Sequence, residues 1–390
     1  MKIGFDVSQT GRLKAGCGYF ADSLIRHLTA LDTDNLYTLY PTFGNVYWDP
    51  DWSTGTCRIR QPNVQRGLGH KTLESMQQFW SHPPPHFEAQ LGSPDLIHAN
   101  NFFCPVGLSK AALVYTLYDL GFMEHPEWTT EPNRVGCFTG VFNASLYADF
   151  IIAISAYSRH HFLDMFPHYP EDRIVVIHPA SRFDGPTEIP KPESLASLHS
   201  DQFWLHVGTL EPRKNHHHLL QAYARLKAEQ GSVFPLVLTG SEGWLMNDFH
   251  RWLDDLRLHQ EVIILGYVDD TILQWLYQHC FAFVYPSFFE GFGLPVLEAM
   301  SLGAPVIVSN VTSLPEIVAT HGILVDPHDV ESIYHGMRQL ATDPLLRTDL
   351  RGKSLSQAAK FSWQSAARET LACYREVLNA PPLMPAPSLS

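Results

Sequence analysis

The sequence predicts an α/β protein built from two consecutive doubly wound domains, and three observations carry that expectation. Short, near-continuous apolar runs alternate with amphipathic stretches along the chain, the pattern of parallel strands covered by helices on both faces. The alternation pauses at DGPTEIPKPESLASLHS (184–200), rich in Pro, Ser and charge, and then restarts, which marks a linker. The 390 residues, 45% hydrophobic and 17% charged, supply apolar material for two cores.

In the first domain, 1–183, the strand candidates are KIGFDVS (2–8), LYTLYP (36–41), DLIHAN (95–100), ALVYTLYDL (112–120), FIIAIS (150–155) and RIVVIHP (173–179). Helical patterns lie between them at YFADSLIRHLTAL (19–31) and AYSRHHFLDMF (156–166). Residues 42–92, with GLGHKTLESMQQFWSHPPPHFEAQ, read as a large loop region with some helix. The second domain, 201–363, offers FWLHVGTL (203–210), a helix from about 216, PLVLTG (235–240), VIILGYV (262–268), FAFVYPS (281–287), PVIVSN (305–310) and GILVDP (322–327). An amphipathic helix over about 364–380 is expected to pack back on the first domain, and the proline-rich tail after Ala380 is expected to fray. In such sheets ligands sit beyond the carboxyl ends of the strands, so the crevice between two facing domains is the expected site.

A net charge of −13 argues against nucleic acid as a partner. Six cysteines without a CxxC pair fit a reducing cytosol better than a disulfide framework or a zinc site. Lys2 and Asp6 interrupt any signal-peptide core, and no run approaches a membrane span of about 18 apolar residues. The expected location is cytoplasmic, with peripheral contact at the inner membrane face left open. Composition does not fix the oligomeric state.

Two stretches could carry chemistry. In TLEPRKNHHHLLQAYARL (209–226), Leu219, Leu220, Tyr223 and Leu226 form a helical face and Asn215 suits the N-cap. Arg213 and Lys214 then lie at the positive end of the helix dipole, where cations are poorly placed. A bound diphosphate would relieve that conflict; two solvated surface cations are the alternative. HHH (216–218) points three ways on a helix, so it cannot converge on a metal, and a solvated helix start is expected.

The second stretch, FFEGFGLPVLEAM (288–300), follows a strand and sets two glutamates eight positions apart around a glycine turn. Pro295 suits the first helical turn and Gly303 the C-terminal cap. Gly291 and Gly293 allow close backbone approach to a ligand, and carboxylates bind hydroxyl pairs well. On the glutamates alone, a dipole-complementing Glu298 with an exposed Glu290 is an equal alternative.

This segment resembles the E-x7-E motif of retaining family 4 glycosyltransferases with the GT-B fold. VGTLEPRKN, LVLTGSEGW, ILGYV, YPSFFEGFGLPVLEAMSLGAPVIVSN and GILVDP follow in the family's order and cover most of 203–327. The first domain is similar more loosely, through its early glycine loop, YTLYDLGF and ADFIIAISAYSRHHF. YDLGFMEHPEW resembles a bacterial branch rich in mannosyltransferases of surface polysaccharide assembly.

The resemblance implies a nucleotide-sugar donor, GDP-mannose favoured, and a glycan or lipid-linked glycan acceptor. Arg213 and Lys214 would neutralise the diphosphate, Glu298 would bind ribose, and Glu290 would hold the transferred sugar. Gly291, Phe292, Gly293 and Leu294 would offer backbone contacts, with Gly240, Tyr267 and Val268 also on the donor side. Gly16 and Gly18 would lie near the donor phosphates or the acceptor, although a GxG is also a simple turn. Asp119 would face the crevice; Tyr118 stands where many relatives have His, which removes any imidazole role but allows a hydroxyl to the donor sugar. No metal and no cofactor are implied, and Asp254-Asp255 and Asp269-Asp270 read as solvated turn and helix residues. His98 and His125 read as structural. Competing functions are a GT-B phosphorylase or sugar-nucleotide epimerase, or a non-catalytic nucleotide-sugar-binding subunit; a Rossmann dehydrogenase lacks its full glycine fingerprint.

Overall fold

The computed structural model describes residues 1–12, 14–44, 59–70, 72–231, 233–246 and 248–383. The chain forms two compact units: one of Met1–Glu124, Glu131–Pro179 and Ser362–Ser390, the other of His125–Thr130 and Ala180–Phe361.

The first unit carries β1 (Lys2–Asp6), β2 (Leu36–Tyr40), β3 (Val64–Arg66), β4 (Leu96–Ala99), β5 (Ala112–Leu117), β6 (Phe150–Ala153) and β7 (Ile174–Val176). They form a parallel sheet in the order β3-β2-β1-β4-β5-β6-β7. Six of these strands fall inside the apolar runs of the sequence. The short β3, Val-Gln-Arg, has no such run because it is an edge strand with exposed side chains. Of the 42–92 region, the structure shows β3, a helix Leu73–Ser81 capped by Thr72, and a single turn Phe87–Ala89; positions 45–58 and 71 lie outside the described residues.

The helix Trp363–Asn379 belongs to this first unit, and Ser362 caps it by accepting from Ser365 N. Its buried face, including Trp363, Ala367, Leu371 and Tyr374, repeats at helical spacing. Trp363 meets Phe20 and His27 of helix Gly16–Leu31 at 5.7 and 6.2 Å between ring centroids. Most of the tail, 384–390, lies outside the described residues.

The second unit carries β8 (Trp204–Val207), β9 (Leu236–Thr239), β10 (Val262–Gly266), β11 (Ala282–Tyr285), β12 (Val306–Ser309) and β13 (Ile323–Val325). These too are parallel, in the order β10-β9-β8-β11-β12-β13. Helix His216–Gln230 buries Leu219, Leu220, Tyr223 and Leu226 against this sheet together with Ile333 and Met337 of helix Val330–Thr342. The strand order reverses direction between β8 and β11. Ligand sites of such sheets lie beyond the strand ends at this switch point, and here the loops concerned are 208–215 and 286–293.

Candidate functional site

The loop after β8 contains a single 3-10 turn, Pro212–Lys214, and leads into helix His216–Gln230 through Asn215 at φ 58°. Asn tolerates that left-handed geometry better than most residues. Its side chain does not cap the helix, which corrects the sequence expectation. The amide instead donates to the carbonyls of Pro286, 2.9 Å, and Pro327, 2.7 Å. One side chain thus ties together the loops after β8, β11 and β13, and Phe288 N adds a bond to Arg213 O at 2.9 Å.

These ties bring Arg213 and Lys214 onto Glu290. Lys214 Nζ lies 2.7 Å from Glu290 Oε1 and 2.7 Å from the Tyr285 hydroxyl. Arg213 Nη1 reaches Glu290 Oε2 at 3.0 Å, while its Nη2 holds Glu211 Oε1 at 2.8 Å. Glu211, Lys214 and Glu290 are all buried. Burial alone would raise the Glu290 carboxyl, but Arg213 and Lys214 outweigh it and bring its pKa down to about 2. The poorly placed cations are therefore relieved within the protein by two carboxylates. The result is a charge-balanced, pre-ordered group rather than free surface cations, and Glu290 is not exposed.

The glycine turn has local causes. Gly293 sits at φ 107°, and a Cβ there would lie 2.5 Å from Leu314 Cδ2. Ser313 Oγ lies 2.8 Å from Glu290 O and 2.9 Å from Phe292 O, fixing the backbone around Gly291. The Phe292 ring packs on Phe361 in the core, so only its backbone can meet a ligand. Leu294 opens helix Leu294–Ser301, with Pro295 in its first turn and Gly303 at φ 78° beyond its end.

Glu298 lies in the second turn of that helix, buried and already partnered. Arg182 Nε is 2.9 Å from Oε1 and Nη2 3.3 Å from Oε2, and the Tyr277 hydroxyl donates to Oε2 at 3.3 Å. Burial raises the Glu298 carboxyl despite Arg182. Arg182, Glu211, Tyr277 and Tyr285 were not legible as site residues. Arg182 precedes the linker, and the tyrosines read as strand and helix core.

Gly240 ends β9 at φ 149°, and a Cβ there would fall 2.0 Å from Gly208 O. Close backbone packing therefore requires glycine at 240. Tyr267 is exposed and Val268 half-buried, both just after β10. The expectation of a solvated HHH start is corrected: His216 is buried against His206 at 4.8 Å between ring centroids, and burial keeps it far below its usual pKa. His218 Nδ1 meets Pro327 O at 2.9 Å and its ring meets Phe288. Asp269 caps helix Asp270–His279, and Asp270 pairs with Arg182 at 2.8 Å.

In the first unit, Asp119 is half-buried and accepts from Gly121 N at 3.0 Å. Tyr118 is buried with its hydroxyl donating to Asn100 O at 2.7 Å. That hydroxyl's proton anchors the loop after β4. Gly16 and Gly18 fall in the first turn of helix Gly16–Leu31. A Cβ on Gly18 would stand 2.1 Å from Gln9 O, whereas Gly16 faces open space. His98 is buried between Tyr374 and Thr116, at 2.6 and 2.8 Å, with its pKa lowered by burial to about 3. His125 belongs to the second unit and stacks on Trp128 at 3.8 Å.

Residues 189–357 match the family described as glycosyl transferases group 1. The chain is similar to O-antigen chain mannosyltransferase B of Escherichia coli, 38% identical over 286 residues, 72% of this chain and 74% of that protein. It is also similar to the serotype-specific mannosyltransferase WbdA of Escherichia coli, 34% identical over 242 residues, 60% of this chain and 29% of that protein. Among solved structures, HepE from Anabaena in complex with UDP-glucose superposes at a TM-score of 0.71 with 20% identity, over 95% of this chain and 99% of that one. Sucrose-phosphate synthase from Thermosynechococcus elongatus does so at 0.74 with 19% identity, over 98% and 100%. With the GT-B architecture of these neighbours and the family match across its second unit, the chain belongs to the group 1 glycosyl transferases and is a glycosyltransferase.

Proposed function

We propose that the protein is a retaining mannosyltransferase that moves mannose from GDP-mannose to a glycan or lipid-linked glycan acceptor. The observation that carries this reading is the Arg213–Lys214 pair held against Glu290 at the β8/β11 switch point. The mannosyl donor is favoured by the two mannosyltransferase relatives. A leaving diphosphate accumulates negative charge as the glycosidic bond breaks, and Arg213 and Lys214 stabilise it with no metal invoked. Glu290, kept ionised by those cations, accepts hydroxyls of the transferred sugar, and Glu298 accepts those of the ribose. Gly291 and Gly293 leave the intervening backbone open to phosphate and sugar, Gly240, Tyr267 and Val268 border the nucleoside, and Gly16 and Asp119 serve the first unit's side.

Retaining hydrolases use a nucleophilic carboxylate about 5 Å from an acid. Glu290 is held by Arg213 and Lys214 and Glu298 by Arg182, so neither is a free nucleophile. A front-face substitution fits better: the acceptor hydroxyl attacks on the side the diphosphate leaves, and the departing phosphate oxygen takes its proton. The protein's part is orientation and charge stabilisation.

The test is thermal unfolding with GDP, UDP or ADP, followed by transfer assays with GDP-mannose and a mannosylated acceptor. A saturating nucleotide at about 100 times its dissociation constant stabilises by about 2.7 kcal/mol. Selective stabilisation by GDP with net α-mannosyl product supports the reading; stabilisation by UDP alone, or consumption of donor by inorganic phosphate, overturns it.

A further inference from the structure

Residues 181–183, at the start of the second unit's segment Ala180–Phe361, are tied to its helices side chain by side chain. Ser181 Oγ meets Ser301 Oγ at 2.8 Å, and Ser181 Oγ also receives Phe183 N at 3.0 Å. The Phe183 ring packs on Tyr277, 6.2 Å between centroids, and the Arg182 guanidinium lies 5.3 Å from the Phe183 ring. Arg182 Nη1 holds Asp270 at 2.8 Å, which leaves Nε and Nη2 for the buried Glu298. Nη2 hydrogen-bonds Oε2 while Nε faces Oε1 at ion-pair distance, so the guanidinium holds the carboxylate in orientation as well as in charge.

Glu298 is buried, and the groups that face it are Arg182, the Tyr277 hydroxyl and, farther off, Asp270. A carboxylate has about four acceptor positions. Arg182 Nη2 and the Tyr277 hydroxyl take two of them, both on Oε2, while Oε1 has Arg182 Nε at ion-pair distance. Oε1 keeps acceptor capacity for an incoming hydroxyl.

We propose that Arg182 is a positioning residue for the nucleotide, its guanidinium anchored by Asp270 and Phe183 so that it holds Glu298 as a charged, oriented acceptor for the donor's ribose hydroxyls. The proposal rests on the assignment of Glu298 to ribose. Arg182 acts through Glu298 and does not itself touch the nucleotide. Its loss leaves a buried carboxyl with no cation, which then takes up a proton and accepts hydroxyls poorly.

The experiment uses the full chain and measures dissociation constants of GDP and 2′,3′-dideoxy-GDP, from pH 6 to 9, for the native protein, Arg182→Gln, Arg182→Lys and Glu298→Gln. The native protein binds GDP more tightly than the dideoxy nucleotide by roughly tenfold, the size of one charge-assisted hydrogen bond. Arg182→Gln loses most of that preference near pH 7, leaves the dideoxy nucleotide's affinity unchanged, and regains GDP affinity as pH rises and Glu298 ionises. Arg182→Lys, which keeps the charge, retains part of the preference. Equal loss of both nucleotides in Arg182→Gln would place the guanidinium on the phosphates and overturn the proposal, as would a native-like preference or a pH-independent loss. If the native protein shows no preference and Glu298→Gln binds both nucleotides normally, the ribose assignment itself fails, an outcome separate from failure at Arg182. Melting temperatures of each variant identify a change in fold.

Discussion

The two units use the same architecture and fill the carboxyl ends of their strands differently. Around β8 and β11 the second unit gathers the half-buried Arg213 and the buried Glu211, Lys214 and Glu290, ion-paired with one another. Around β1 and β4 the first unit places Ser8, Asn100 and Asn101, neutral and hydrogen-bonded to one another or to the backbone, with Asp6 as the ionisable group among them. Among the described residues no cation pairs with Asp6; burial lifts it to about 6, against the opposing hydrogen bonds from Ser8 and Asn100. The β8/β11 loops thus pair their charges with one another, whereas the first unit pairs Lys14, in the loop after β1, with the buried Asp22 of the helix that follows, so one sheet topology carries two different charge arrangements.

The sharpest way to break this comparison is Glu290→Gln. Transfer should fall by roughly 100- to 1,000-fold, the scale of removing one group that stabilises developing charge. The ligand-free protein should also lose about 2–4 kcal/mol, because Arg213 and Lys214 are left with less negative charge around them. Added nucleoside diphosphate should restore much of that loss, since its phosphates supply the missing charge. Turnover near the native rate would show that the cluster is a structural ion pair and nothing more.

A second test sets two glycines of the first unit against each other. Gly18→Ala drives a Cβ into Gln9 O and should cost about 1–3 kcal/mol in denaturant unfolding. Gly16→Ala meets nothing within 4 Å and should stabilise by about 0.5 kcal/mol through helix propensity and the unfolded chain. Similar effects from the two would undo the assignment of Gly18 to backbone packing.

The mildest test is by pH, and the two units should respond with opposite sign. Asp6 binds its proton more tightly folded, at about 6, than at its ordinary 3.8. Its contribution to stability therefore improves as pH falls from above 6 toward 4, by no more than about 3 kcal/mol. Glu290, lowered to about 2, contributes stability that is present above its ordinary range and is lost as pH falls toward 2. The stability difference between the native protein and Asp6→Asn should shift in favour of the native protein as pH drops from 7 to 4.5. A difference that does not vary with pH would show that Asp6 titrates in the folded protein as it does in the unfolded chain.

Much of the fold was legible because each inner strand is a continuous apolar run, whereas β3 escaped notice because its edge position asks for no such run. The site was legible where a residue's type betrayed conflict: two cations at a helix N-terminus, two acids around a glycine turn. Partners supplied from a distance were not. Arg182 lies more than a hundred residues before Glu298 in the chain, and Tyr285 looks like any core aromatic in FAFVYPS. Nor could the sequence show that Asn215 spends its amide on two distant carbonyls instead of a cap, or that Tyr118 turns its hydroxyl to Asn100.

The Asn215 amide has a consequence for redesign. Because one side chain is bonded to the carbonyls after β11 and β13 while its backbone ends the loop after β8, those three segments share a single mechanical joint. Attempts to change donor preference by transplanting one loop from a relative would leave that joint half-made; the three segments must be exchanged as a set, with the asparagine carried along.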